Sequence, residues 1–141
     1  LIYMKKLILI AYLVLITNNS FGHEYNVGNL LIDHPKIIKN ENNAKGYMII
    51  TNKSENDLFL FGGRSSFSEE LILHRESSDS FSNMQKISQI KIPAGSTISL
   101  KDLNLHLMFL DYDSNIEWFE PHKAKLYFSN NIKLEVEFDL D

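Results

Sequence analysis

Cysteine is absent from all 141 residues. No disulfide can brace the fold and no thiolate can hold a metal, so stability must come from packing and any soft-metal chemistry from other donors. Proline (3), tryptophan (1) and glycine (6) are scarce, and the glycines are scattered rather than gathered into a phosphate-cradling loop. Basic residues number 14 against 18 acidic ones, a formal charge of −4. Without a basic stripe, neither nucleic acid nor an anionic membrane surface is expected as a partner. Gly-x-Ser-x-Gly and His-Glu-x-x-His are both missing, which leaves an enzyme reading little support.

One apolar run stands out, Leu7 to Ile16 behind Lys5-Lys6, with Met4 as the expected initiator. At ten residues it falls short of the roughly 20 that a spanning helix needs, and it reads as the core of a secretory signal. Ser20 and Gly22 have the small-residue spacing for cleavage after Gly22, so 1–22 is expected to be a signal peptide and 23–141 one mature domain beginning at His23. No cysteine at that junction allows lipid attachment; a soluble exported monomer is expected, periplasmic in a diderm bacterium.

Most of the remaining apolar pattern has period two. Ile132, Leu134, Val136, Phe138 and Leu140 alternate with charged residues, Ala124, Leu126 and Phe128 precede them, and Asn130-Asn131 between the runs is a turn signal. Further strands are expected at Tyr47–Asn52, Leu58–Phe61, Leu71–His74, Ile90–Ile92, Thr97–Leu100 and Leu105–Asp111. Polar or turn-rich pieces, among them Gly62-Gly63, Ser77–Asn83 and Pro93–Ser96, separate them. Many short strands without an amphipathic helix predict a single all-β domain of the β-sandwich type.

Against that background His74, Met84, His106 and Met108 form a donor set of two imidazoles and two thioethers, suited to Cu(I) in a compartment where thiols would oxidise. His106 and Met108 leave the same face of their strand, while Leu105, Leu107 and Phe109 take the core face. The serine-rich stretch after His74 is expected to be a loop able to fold Met84 over the site. Met48, within an apolar run, is assigned to the core; His34 and His122 are read as structural or surface residues, and Trp118-Phe119 as an edge of the core.

These residues resemble the periplasmic copper chaperone family written PCu(A)C. Its hallmark is a His, about ten residues, a Met, about 21 residues and a His-x-Met; here the gaps are nine and 21. The likeness extends over the opening His23–Pro35, Gly46–Asn52, Glu70–Glu76 and Ile92–Lys101. It departs at Lys36, where the family usually has Trp, and at Asp102-Leu103-Asn104, where it usually has Pro-Gly-Gly. The resemblance implies a cupredoxin-like, Greek-key β-sandwich that binds one Cu(I) through the four donors and delivers it to a cuproenzyme, notably the dinuclear copper site of cytochrome c oxidase. Two other readings stay open: a metal-free exported interaction module, and a copper enzyme using the amine and imidazole of His23.

Overall fold

The computed structural model describes residues 24–76, 84–113, 115–117 and 119–141; nothing is described of the Met84 side chain. The strands in chain order are Glu24–Val27 (β1), Leu30–Asn40 (β2), Asn43–Asn52 (β3), Leu58–Ser65 (β4), Glu70–Glu76 (β5), Met84–Ile87 (β6), Ile90–Ile92 (β7), Thr97–Ser99 (β8), Leu105–Leu110 (β9), His122–Phe128 (β10) and Lys133–Leu140 (β11). A single 3-10 turn, Lys101–Leu103, is the helical element among the described residues.

Strands β2, β11, β10, β4, β5, β9 and β3 pair in that order, and β3 returns to β2, so the sheet closes on itself. Closure leaves the short strands β1, β6, β7 and β8 as additions at its rims. All of these pairings are antiparallel except β11 with β2. The closing strand β2 bends where its register with β3 shifts between Asp33 and Lys36. His34 there has φ of 50°, and Pro35 has no N–H to give a ladder, so this pair forms the bulge that turns the strand from one half of the sandwich to the other.

The interior is apolar and closely packed. Phe67 and Phe109 lie 4.8 Å apart between ring centroids, Phe109 and Phe138 5.4 Å, and Ile32, Ile50, Leu60, Leu107 and Val136 are fully buried around them. The period-two reading holds for the C-terminal hairpin, where Val136 and Phe138 are buried and their charged neighbours exposed. Its turn has φ of 61° at Asn130 and 58° at Asn131, the left-handed pair that a two-residue hairpin requires.

Two expectations need correction. Gly62-Gly63 do not separate strands but lie inside β4, opposite a register shift in β10. A Cβ on Gly63 would stand 2.1 Å from the Lys125 carbonyl oxygen, so glycine is what lets the two backbones approach. Gly63→Ala should therefore cost about 1–3 kcal/mol of stability, read as a lowered urea midpoint. Phe119 is 67 % exposed rather than at the edge of the core, and Trp118 lies outside the described residues. His122 opens β10 and is buried, as the structural reading of it expects, with Nε2 2.7 Å from the Tyr112 hydroxyl.

Candidate metal centre

β9 carries the site. Its sequence Leu-His-Leu-Met-Phe puts Leu105, Leu107 and Phe109 into the interior and His106 and Met108 on the outer face, yet His106 is 0 % and Met108 5 % exposed. Side chains from β5 and β3, the strands that flank β9, crowd over that outer face. His74 of β5 stands directly opposite His106, and Ile72 opposite Met108. Directly opposed residues share a face of the sheet, so the alternation predicted for one strand becomes a two-strand cluster. The two imidazole rings are 5.3 Å apart between centroids and inclined at 75°. Tyr47 of β3 closes the other side of His106, its ring centroid 6.1 Å away.

Met84 is the first residue of β6 and pairs with Glu76, two residues beyond His74 on β5. The backbone thus brings the fourth predicted donor to the strand next to His74. The stretch 77–83, expected to be a loop over the site, lies outside the described residues, as does His23. Met48 is core, 2 % exposed, and His34 is a surface residue with Nδ1 3.1 Å from the Asp33 carboxylate.

Burial here is not matched by bonding. His74 Nδ1 and both ring nitrogens of His106 are buried without a hydrogen-bond partner among the described residues. Buried polar atoms nearly always find partners, and each one that does not costs about 1–3 kcal/mol. A neutral imidazole has one N–H and one lone pair, so the His106 ring buries both an unused donor and an unused acceptor.

Charge keeps them available. Burial holds the His74 imidazole below its ordinary value, with Lys45 and Lys86 acting in the same direction. Burial, then Lys45, lowers His106 from 6.5 to about 4 against the pull of Glu76. Both rings are therefore neutral at pH 7. The 3.4 Å approach of His106 Nδ1 to Glu76 Oε1 is accordingly no ion pair at that pH; the partner of Glu76 is Lys45, whose Nζ donates to Oε1 at 2.7 Å. That bond holds the Glu76 carboxyl below the usual carboxylate range.

Lys45, Tyr47 and Glu76 are the neighbours that sequence reading missed. Glu76 had a signal, since it follows His74 by two along a strand and shares its face. Lys45 and Tyr47 alternate on β3, but nothing in the sequence announces that β3 pairs with β9. Among the described residues no three His, Asp or Glu side chains are grouped to hold a metal. A surface groove of about 440 Å³ beside Arg64, Lys123 and Lys125 contains none of the four donors.

Solved structures share this architecture. The copper-bound PCuAC domain from PmoF2 aligns with a TM-score of 0.71 at 20 % identity, over 84 % of this chain and 97 % of that one. The apo PCuAC domain from PmoF1 aligns at 0.70 and 20 %, over 84 % and 98 %. CuI-DR1885 from Deinococcus radiodurans aligns at 0.63 and 17 %, over 88 % and 84 %. At such identities the likeness is one of fold, and it agrees with the all-β sandwich expected from the strand pattern. No curated protein matches the chain. A family model described as "Putative lipoprotein LpqE-like" matches residues 27–140, nearly the whole of the strand framework just described, and the chain therefore belongs to the LpqE-like family.

Proposed function

We propose that this protein is an exported Cu(I) carrier that binds one ion through His74, Met84, His106 and Met108 and hands it to a copper-requiring protein. The observation that carries the reading is the opposed His74–His106 pair with its unpartnered buried nitrogens, beside the Met108 thioether on the same face. Neutral imidazoles and thioethers suit Cu(I), a closed-shell ion that accepts low coordination and needs no anionic ligand. Thioethers are displaced one at a time, which gives a carrier a route to release. Among the similar structures one is copper-bound and one holds CuI, which supports the choice of metal.

Export is part of the proposal, with 1–22 as its signal and 23–141 as the mature domain. The lipoprotein description of the family accords with it, and no described helix is long and apolar enough to cross a membrane. We take the recipient to be a cuproenzyme, with the dinuclear copper site of cytochrome c oxidase as the candidate. The chain's own residues bind and shield the ion; nothing in the site calls for turnover.

A Cu(I) competition titration of the mature domain under reducing conditions tests the reading. Saturation near one equivalent is expected, with Met48→Leu and His34→Ala indistinguishable from the parent. Met84→Ala should weaken binding less than His106→Ala, since a terminal thioether is easier to spare than a ring held in a buried pair. Absence of saturable binding would favour the metal-free interaction module.

A further inference from the structure

We infer that Glu76 is the positioning residue of this site: it fixes His106 in the tautomer that carries its proton on Nδ1 and turns Nε2 toward the metal, while Lys45 holds Glu76 in place. The inference rests on the proposed copper reading for the metal, but its central claim concerns the apo protein.

Glu76 Oε1 lies 3.4 Å from His106 Nδ1. The same oxygen receives Lys45 Nζ at 2.7 Å, and Lys45 comes from β3 whereas Glu76 comes from β5. Because those strands flank β9, the ion pair spans it, on the face where His106 is 0 % exposed. Glu76 is fixed from behind as well, its backbone N–H donating to the Asn104 carbonyl at 2.8 Å. The carboxylate itself, 38 % exposed, is held over this face by its bond to Lys45.

A neutral imidazole has one donor nitrogen and one acceptor nitrogen, and a carboxylate can only accept. The nitrogen facing Glu76 is therefore the one that carries hydrogen, and the lone pair is left on Nε2. Ligand histidines commonly give their second N–H to a carboxylate in this way, which orients the ring and strengthens the donor. At 3.4 Å the contact is longer than a hydrogen bond; a cation on Nε2 makes Nδ1–H a stronger donor, which draws the two together. Lys45 balances the carboxylate's charge, so the site can hold a monovalent ion without retaining an anionic ligand that would resist its release.

Long-range 1H–15N spectra at neutral pH read the tautomer directly, and Cu(I) is diamagnetic, so apo and loaded protein can be compared. The parent should show Nδ1–H on His106 without metal, and a shift confined to Nε2 when Cu(I) is added. Glu76→Ala should give mixed tautomers and an affinity lower by about 10- to 100-fold. Glu76→Gln, which keeps an acceptor oxygen in place, should retain the Nδ1–H form and recover part of that loss. A parent His106 protonated on Nε2, or a Glu76→Ala protein with unchanged tautomer and affinity, overturns the inference. Parent protein that shows the Nδ1–H form but takes up no Cu(I) would sink the copper reading and leave the positioning role of Glu76 standing.

Discussion

Replacing His106 by Leu should abolish tight Cu(I) binding and leave the apo protein at least as stable as the parent. His106 is fully buried on a strand whose neighbours are Leu105, Leu107, Met108 and Phe109, and neither of its ring nitrogens has a hydrogen-bond partner among the described residues. An unsatisfied buried polar group costs about 1–3 kcal/mol, and an apolar side chain of similar volume removes that cost while keeping the packing. Binding sites commonly give up stability in this manner. Urea unfolding of both apo proteins measures it: the variant's midpoint should equal or exceed the parent's. Added Cu(I) should then reverse the order, raising the parent by about 4 kcal/mol at a thousandfold excess over Kd and the variant not at all. A variant that is clearly less stable would mean that the imidazole makes net favourable contacts, contrary to the geometry.

Lowering the pH from 7 to 5 should leave the His106 ring neutral and able to take Cu(I) while it weakens the apo fold. His106 has a folded value of about 4 against an ordinary 6.5, with burial as the main cause. Above 6.5 neither folded nor unfolded chain holds the proton, and the group contributes nothing to the pH dependence. Between 6.5 and 4 the unfolded chain takes up a proton that the folded chain refuses, so apo stability falls with falling pH. At roughly 1.4 kcal/mol per unit, the loss approaches about 3 kcal/mol by pH 4, and His74, lowered in the same direction, adds to it. Copper meets the opposite situation. It competes with protons only on the folded rings, and the His106 ring stays neutral until the pH approaches 4. Titrations at pH 7 and 5 against a competitor of known pH dependence check the first half, and apo urea curves from pH 7 to 4 the second. A tenfold loss of affinity per unit beginning at 6.5 would contradict both.

Local pattern was enough for the parts of this protein in which one strand decides the matter. The inward set Leu105, Leu107 and Phe109, the outward pair His106 and Met108 and the Asn130-Asn131 turn all follow from alternation and turn chemistry within a few residues. The long strand β2 was not assigned, because His34-Pro35 interrupts its alternation with a bulge and imitates a break. Gly62-Gly63 misled for a related reason: glycine serves close approach of backbones as well as turns, and only the position of Lys125 tells which. The four donors could be proposed from spacing and residue type, but that His74 faces His106 is a matter of register between β5 and β9, which no local pattern contains. Asp102-Leu103-Asn104 illustrates the remainder. Asn104 adopts φ of 57° and ψ of 36°, so asparagine supplies the left-handed turn before β9 that a glycine could also have made.

The parallel contact between β2 and β11, with Lys36 opposite Asp139 and Ile37 opposite Leu140, joins an early strand to the last one. Among the described strands all the others precede β11 in the chain, so β2 and β10 keep open edges until it is synthesised. Such distant pairings make folding slow. The proposed donors lie on β5, β6 and β9, none of which borders β11, so the strands that hold them are all synthesised before the ring shuts and can pair without it.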